Sequence, residues 1–468
     1  MLWNNEKVKL VFTFDNNEVY EICTGADNDT DNFIVTFIPN DIVQTNYTNL
    51  FGSVSSNSIS VTVYDTKNNL DMNNSKSPYY NYMRNGVKIE AFISYDNVNY
   101  EPYGTYYVTD WGNMFSTGTH DVVTIVAHDE LHYIINNDIP KLSAYSGVRC
   151  DELIRKVLEG CGVADNRIII SEQLDLKLKF GVSEDSKVGY FLNDICQALC
   201  AVIVINKKNE ILVVPALSGF GKEYVLSDEP IESVSSSNNS NSIYTNVKCT
   251  YDKKTGSLYG GLILSNSNIE AGKYKINNML FSRKALNVSE ISIESDCIHD
   301  GIDIKGFSAY QNGIDIEIDN GNSEIEEAYI NITGAYIKTN KKNVYSDISF
   351  SDIKGNRRVS YEMFNEYVQT SNEAQDVANQ MARYIELMNN KIVIRSLYNP
   401  KITVGDILIF NNKLLSGKYL VIASETIFGI NYEKILNVIP FKLGTIWDDS
   451  LSWNDEGNWQ ENMNISLN

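Results

Sequence analysis

The chain has 468 residues, of which 43% are hydrophobic, so it can bury several cores of ordinary size, and about two to four domains are expected. Sixty acidic and 39 basic side chains give a formal charge of −21, which argues against a nucleic-acid-binding surface because an acidic surface repels phosphate. No apolar run approaches the ~18 residues that a membrane span needs, and the N-terminus lacks the basic and apolar regions of a secretory signal, so we expect no membrane segment and synthesis in a cytoplasm.

The seven cysteines are odd in number and scattered along the chain, with no Cys-x-x-Cys pair. This spacing indicates neither a disulfide framework nor a structural zinc site. We therefore expect reduced, mostly buried thiols and predict no cofactor.

The first part of the chain has the two-residue periodicity of β-strands. Apolar side chains alternate from Val8 to Phe14, and 15–17 predicts a hairpin turn. Pro39 is expected to end the strand pattern before it, since proline cannot donate to a strand ladder. Further strand patterns occur at 18–22, 33–38, 59–63, 87–93, 104–108 and 122–127. Strands at this spacing predict a small antiparallel barrel or sandwich for residues 1–140.

Residues 141–232 change to a helical period. Two amphipathic helices are predicted, because apolar residues recur every three or four positions on one face of each. Their apolar faces consist of Leu153, Ile154, Val157 and Leu158 in the first and Val188, Phe191, Leu192, Ile195 and Leu199 in the second. Short apolar runs at 167–170, 201–205 and 211–214 are typical of strands. Together they predict a compact α/β insert.

A Ser- and Asn-rich stretch at 233–242 has little apolar content and predicts a linker or loop at a domain boundary. A second β-rich region, 233–395, then begins with the strand pattern at 243–249, and the glycine-rich 256–261 predicts a hairpin turn. Alternating patterns recur at 313–318 and 328–332.

One long helix is predicted at 371–390, with Ser371 as its N-cap, Glu373 in its first turn and Asn389-Asn390 at its end. Its predicted buried stripe is Val377, Met381, Tyr384, Ile385 and Met388. Strand patterns at 391–396, 402–409, 418–422 and 433–438 then predict a closing β subdomain, assigned to 396–446.

Three groups of residues were considered for enzymatic or metal chemistry, and none is assigned a catalytic, cofactor or metal role. In His128-Asp129-Glu130-Leu131-His132 an Asp stands where a zincin helix needs Glu, so we expect a turn capped by Asp129. Cys196 and Cys200 lie one helical turn apart beside an apolar stripe and are predicted to be small core residues. The acidic run 324–327 is predicted to be solvated surface and not a glycosidase carboxylate pair.

The last segment, 447–468, places three of the five tryptophans at intervals of six among acidic and small polar residues. Such a stretch cannot build a core, whereas tryptophan is a favoured interface anchor. We therefore predict a docking tail that adds to a partner's sheet edge or fills its pockets; the alternative is that the tail folds back on the strands near 438–443. The predicted docking residues are Trp447, Leu451, Trp453 and Trp459.

The order of these elements resembles the hub proteins at the distal end of phage and phage-like tails. The resemblance begins with the strands of 87–129, the two helices and the strand 211–215. It continues through the strand 243–249, the helix 371–390 and the element Val404-Gly405-Asp406, and so covers roughly 87–440. Each of these motifs is weak by itself.

The resemblance implies a multidomain, β-rich α+β protein with two tube-type antiparallel β-barrel domains, the α/β insert and a C-terminal extension. Such hubs form homotrimers whose six barrels match the sixfold tail tube above and a threefold spike or fibre below. The implied partners are the tail-tube protein, a spike or tip protein and other baseplate proteins, with DNA or tape-measure protein only passing through the lumen.

The implied protein is a non-enzymatic virion component of the tail baseplate, in a phage or a contractile phage-like particle, made in the bacterial host cytoplasm. The alternative is a tail-associated receptor-binding or cell-wall-degrading protein, which a cleft with paired carboxylates or a row of aromatic side chains would favour.

Overall fold

The structure is a computed structural model. It describes residues 7–24, 32–42, 54–96, 98–114, 122–142, 145–181, 187–226, 231–236, 244–269, 272–282, 285–295, 302–310, 313–321, 326–348, 359–396, 401–411, 415–428 and 433–441.

The N-terminal half contains strands and three helices. The strands to residue 128 are β1 Lys7–Thr13, β2 Val19–Cys23, β3 Asn32–Ile42, β4 Ser58–Asp65, β5 Lys88–Ser94, β6 Tyr100–Met114 and β7 Val122–His128. The next elements are α1 Leu131–Ile134, β8 Tyr145–Arg149, α2 Cys150–Gly160, β9 Ile168–Ile170, β10 Lys177–Gly181, α3 Val188–Ala198, β11 Ala201–Ile205, β12 Ile211–Pro215, β13 Glu223–Val225 and β14 Ile231–Ser236.

The C-terminal half contains longer strands and one long helix. Its elements are β15 Asn246–Ile269, β16 Gly272–Leu280, β17 Ala285–Ser295, β18 Ile302–Tyr310, β19 Gly313–Asn320, β20 Glu326–Asp347, β21 Ser360–Asn365, α4 Ser371–Asn389, β22 Ile392–Ser396, β23 Ile407–Asn411, β24 Ser416–Ile427 and β25 Glu433–Pro440. The predicted β-rich α+β fold is thereby confirmed.

Thirteen strands from both ends of the chain form one sheet. Its order is β14-β22-β25-β24-β3-β4-β7-β6-β5-β1-β2, with β23 on β24 and β13 on β23. The seven N-terminal strands surround one core, because alternate side chains such as Val8, Leu10 and Phe12 are buried together. The outer members of this group, β2 and β3, meet at an isolated bridge between Thr24 and Ile34.

Pro39 does not end β3, so that prediction was wrong. The strand continues to Ile42, pairing first with β4 and then, from Asn40, with β24. Phe37 exchanges both backbone hydrogen bonds with Phe428, and backbone groups alternate along a strand, so Pro39 also faces the β24 side. The missing N–H of Pro39 leaves a gap in the β3–β24 ladder between the Phe37 bridge and the pairing at Asn40, and the continuous pairing with β4 carries the strand through it.

The helices and strands predicted within 141–232 are present. Helices α2 and α3 bury their predicted apolar faces, and β12 pairs in parallel with β9 and antiparallel with β11. This core is continuous with the buried side of α4 and with the first residues of β15.

A second strand group in the large sheet consists of β13, β14 and β22–β25 around its own core, which includes Ile394, Leu408 and Leu436. The expected linker is therefore wrong for Ser233–Ser236, which belong to β14 and pair with β22; residues 237–242 lie outside the described residues. Pairing with β22 supplies the stabilisation that the polar local sequence lacks. The predicted divisions 1–140, 141–232, 233–395, 396–446 and 447–468 stay a prediction; this strand group takes strands from three of them.

An arm is formed by the two longest strands and the strands that pack on them, and it contacts the rest of the chain, the body, through an ion pair between Asp315 and Lys141 at 2.8 Å. β15 and β20 pair from Asn246 to Ile269, and their outer halves form a sandwich with β16–β19 around Leu262, Ile316 and Ile332. The glycine-rich 256–261 lies inside β15, so the predicted hairpin turn there was wrong. Long-range pairing with β20 overrides the local signal, and the glycines accompany two bulges in the ladder.

The N-cap of helix α4 lies one residue earlier in the sequence than predicted. Thr370, and not Ser371, is the N-cap: its Oγ1 accepts from Glu373 N at 3.2 Å, and Glu373 Oε2 accepts from Thr370 N at 3.1 Å, which completes a capping box. Ser371 is the first helical residue. The predicted stripe is buried, and the helix ends at Asn390 as predicted.

Alanine substitutions at Thr370 and Ser371 should have different effects on the free energy of unfolding. Thr370→Ala removes the acceptor for Glu373 N and is expected to lower the free energy of unfolding by about 1 kcal/mol. The matched change Ser371→Ala should alter it by less than about 0.5 kcal/mol, because Ser371 is exposed inside the first turn. Urea unfolding of both variants measures the difference, and an equal or larger loss in Ser371→Ala would contradict the assignment.

Candidate functional site

Five polar side chains from four parts of the chain meet below the surface, and we call them the polar junction. They are Asp41, Tyr103, Lys207, Thr403 and Asp406. Asp41 ends β3, Tyr103 lies in β6, Lys207 follows β11, and the other two precede β23. The residues lie far apart in sequence, so their contacts hold separate parts of the chain together.

Asp41 is the central acceptor of the junction. Its Oδ2 accepts a hydrogen bond from the Tyr103 hydroxyl at 3.0 Å and one from the Thr403 hydroxyl at 3.4 Å. The Lys207 amine lies 4.5 Å from the centroid of the Tyr103 ring, a cation–π distance. The N-terminal strand group, the α/β insert and the segment before β23 are therefore linked through one tyrosine and one carboxylate.

Asp406 fixes the segment that enters β23. Its carboxylate accepts from Thr403 N at 2.7 Å and from Lys222 N at 2.6 Å, which joins this segment to the approach to β13. Gly405 has φ +85° and its carbonyl accepts from Phe220 N and Gly221 N, so a side chain at Gly405 would be strained and would collide with the Phe220 ring. The element Val404-Gly405-Asp406 is thus a tight turn closed by a carboxylate.

Burial shifts the pKa values of the charged members in opposite directions. Burial raises the pKa of Asp406, although two backbone N–H groups favour its charged form. Burial lowers the pKa of Lys207 against the attraction of Asp41 and Asp406. Burial, and then the Asp41 charge, raises the pKa of Tyr103 well above its ordinary value, so this phenol stays a hydrogen-bond donor.

A second network of hydrogen bonds, around Asp129 and Asn57, joins the N-terminal strands to the insert. The Asp129 carboxylate is fully buried and accepts from Asn57 N at 2.8 Å and Leu131 N at 3.1 Å. The Asn57 side chain accepts from Ile42 N at 3.2 Å and donates to Ile205 O at 3.0 Å. Burial raises the pKa of Asp129 to about 7, against the two N–H groups that favour the charged form.

The His128–His132 segment has the turn predicted for it. His128 ends β7 and His132 lies in α1, so the two do not share one helix face; their rings stack with centroids 4.5 Å apart. Asp129 caps the turn through Leu131 N, as predicted. Burial lowers the pKa of His128, followed by the effect of His132.

Cys196 and Cys200 are buried in the core of the insert, as predicted. Burial raises the pKa of Cys196 to about 12 and raises that of Cys200 as well, so both thiols stay protonated. Among the residues that the structure describes, no group of three or more His, Cys, Asp or Glu side chains is placed to hold a metal ion.

The remaining predicted sites fall outside the described part of the chain. Trp447, Leu451, Trp453 and Trp459 lie beyond residue 441, where the described residues end, and the side chains of the acidic run 324–327 are also outside. Their roles stay predictions.

The polar junction was missed by sequence reasoning. Asp41, Tyr103 and Lys207 carry no local motif, because their partners come from distant strands. One signal was available: Gly405 followed by Asp406 and a strand is typical of a turn that needs positive φ and a capping carboxylate. Within the described ranges, no helix is both long and apolar enough to cross a membrane.

Replacing Asp129 should change how stability depends on pH. The folded pKa of about 7 exceeds the unfolded value of ~3.9, so the stabilisation from the neutral form is complete below pH 4 and is lost as pH rises towards 7. The loss is on the order of 4 kcal/mol. Asp129→Asn cannot titrate, so the free energy of unfolding of the wild type minus that of the variant should fall from pH 4.5 to pH 7.5 in urea titrations. A difference that stays constant over this range would contradict the assignment.

Comparisons of the sequence with known families give no match to a protein-family model. A search of curated proteins likewise finds no match.

Comparison of the fold with solved structures finds phage tail proteins. The 43 kDa tail protein of prophage MuSo2 from Shewanella oneidensis aligns with a TM-score of 0.54 and 10% sequence identity, over 93% of this chain and 98% of that one. A tail protein from Neisseria meningitidis MC58 aligns with a TM-score of 0.52 and 7% identity, over 94% of this chain and 98% of that one. At these identities the likeness concerns the fold, and in fold the chain resembles phage tail proteins over nearly its whole length, as the sequence indicated.

Proposed function

We propose that the chain is a structural hub of a phage tail or phage-like particle. In this proposal it forms a trimer that links the sixfold tail tube to the threefold spike or fibre and continues the central channel. The observation that carries the proposal is the large sheet, in which two strand groups, each with its own core, are joined through β24. The fold of the chain aligns with tail proteins over nearly its whole length.

The two strand groups are candidates for the two tube-type barrels. In the first, β2 and β3 approach each other at the Thr24–Ile34 bridge, which brings the ends of the seven-stranded path together. In the second, the outer strands β13 and β14 are consecutive along the chain. We propose 1–140 as the first barrel and 141–232 as the insert; the second barrel would draw β13 and β14 into the unit formed from 233–395 and 396–446.

Strand edges support the proposed assembly. β14 ends the path of the large sheet, and an open edge tends to pair with another chain unless it is covered. Neighbouring copies in a ring would cover such edges. Proposed partners are the tail-tube protein, the spike or tip protein and other baseplate proteins, and the charge of −21 suits a conduit along which DNA slides. The chain would be made in the bacterial host cytoplasm and reside in the virion baseplate.

The proposal assigns no enzymatic activity to the chain. A cavity of about 320 Å³ opens in the arm between β17 and β18, and its lining includes Ala285, Val288, Phe307 and Tyr310, with no acidic side chain among the lining residues. Three of the buried carboxylates, Asp41, Asp129 and Asp406, accept hydrogen bonds from other groups of the chain. Both observations favour a structural role over glycoside hydrolysis, which needs two carboxyl groups facing a cleft.

The copy number in the particle tests the trimer. Two barrels per chain require three copies to match a sixfold tube. Cross-linking of assembled particles, followed by separation by mass, should give dimers and trimers of this chain and nothing larger. Recovery of six linked copies per ring would rule out two barrels per chain.

The C-terminal segment is proposed to dock onto the spike or a neighbouring baseplate protein through Trp447, Leu451, Trp453 and Trp459. Deleting Trp447–Asn468 should leave the melting temperature within about 3 °C, because none of the residues in the four described cores comes from this segment. The partner should fail to join the particle, as judged by the composition of purified particles. Normal composition after the deletion would exclude the docking role.

A further inference from the structure

The arm and the body are connected by a narrow two-stranded ribbon, which we call the neck: Asp252–Lys254 of β15 paired with Thr339–Lys341 of β20. On the body side β21 pairs with β15 only as far as Tyr251, and on the arm side β17 pairs with β20 only as far as Tyr336. Among the described strands the neck therefore has no neighbour on either side. Its backbone edges are open to an added strand.

The outer edge of β20 stays open beyond the neck towards the body. Tyr345 O accepts a hydrogen bond from the side-chain Nε2 of Gln375 at 3.1 Å, which shows that the backbone groups of Tyr345 face outward. Because these groups alternate along a strand, the N–H and C=O groups of Asn343 and Lys341 face the same edge. These two residues offer donors and acceptors to an extended peptide.

Four lysines cluster on this part of the ladder, on a chain whose net charge is −21: Lys253, Lys254, Lys341 and Lys342 occupy four successive cross-strand rows. Lys253, Lys341 and Lys342 are exposed, and within the described residues they have no carboxylate partner. Asp252, directly across from Lys341, is the one acid in these rows, so the rows keep a net positive charge that favours an acidic ligand.

Two exposed aromatic side chains lie on the same face as Lys341. Tyr345 is 55% exposed and Phe364 is 42% exposed, and both should be costly to leave in water. The Lys341 amine lies 4.6 Å from the centroid of the Phe364 ring. The side chains of Lys341 and Tyr345 share a face because they are four residues apart on one strand. The face therefore combines a cation with aromatic surface.

The sequence of the C-terminal segment has the complementary pattern. In an extended strand alternate residues share one side, and one side of 447–461 carries all three tryptophans together with three of the acids. That side carries Trp447, Asp449, Leu451, Trp453, Asp455, Trp459 and Glu461. The segment from Trp447 to Asn468 contains five acidic residues and no basic one.

The described chain ends at Phe441, which packs against the large core shared by the insert, α4 and the first residues of β15. The remaining 27 residues can span up to ~90 Å when extended, so the segment has length to spare.

We propose that, in the free chain, residues 447–461 add as a strand to the outer edge of β20 at Lys341 and Asn343 of the same molecule. The tryptophans would lie against Phe364 and Tyr345, and the acids on the same side of the segment would face Lys341. The segment would thus be held on the chain itself before assembly. This inference concerns the unassembled protein and does not rest on the proposed hub function.

A simpler role for the lysines is to keep the bare ribbon from pairing with other chains. That role predicts an edge whose amides exchange freely in the full-length protein. The two accounts therefore differ in the protection of Lys341 N–H and Asn343 N–H.

Hydrogen exchange resolved to single residues tests the proposal on the full chain and on a chain lacking Trp447–Asn468. The amides of Lys341 and Asn343 should exchange at least ~10-fold more slowly in the full chain, at any protein concentration. Equal exchange in the two proteins would overturn the proposal. If amide exchange slows only as the protein concentration rises, the segment binds a second copy of the chain, which would also overturn the proposal.

Charge reversal tests whether attraction between the acids of the segment and Lys341 holds the segment on β20. Lys341→Glu should abolish the slowing in the full chain, and adding Asp449→Lys with Asp455→Lys should restore it in part. The matched control, Lys156→Glu, changes an exposed lysine in α2 and should leave exchange at Lys341 unchanged. Unchanged slowing in the first variant would contradict the proposed pairing of acids with Lys341.

Discussion

The structure depends on the pairing of β24 with three strands. Along one edge its first residues pair with β23 and its later residues with β3, and along the other edge it pairs with β25. Ala423–Glu425 pair with Asn40–Ile42, which joins strands that are more than 370 residues apart. Without this short ladder the two strand groups would be separate sheets with separate cores.

The polar junction lies at the same seam. Asp41 pairs across from Ser424, and its carboxylate binds Tyr103 and Thr403, while Asp406 closes the turn that leads into β23. Burying such charges costs free energy unless every partner is in place, so the junction stabilises one relative placement of the strand groups and weakens any other. A tube component needs that property, because its ring geometry must be the same in every copy.

Local sequence patterns predicted most elements but not their long-range connections. The alternation at Val8–Phe14 and the stripes of α2, α3 and α4 were sufficient, because each buries one face of a regular element. The predictions failed where distant pairing decides the conformation: Pro39 continues β3, the glycines of 256–261 lie inside β15, and Ser233–Ser236 pair with β22. The junction was not predictable, because Asp41, Tyr103 and Thr403 are far apart in the sequence and form no motif with a recognisable spacing.

The central claim is that the two joined strand groups form part of the wall of a tail channel. A cryo-electron microscopy map of an assembled particle tests it most directly. The account predicts three copies in one ring, with both strand groups of each copy facing the channel side by side. A map that places the chain at the periphery of the baseplate, with either group away from the channel, would contradict it.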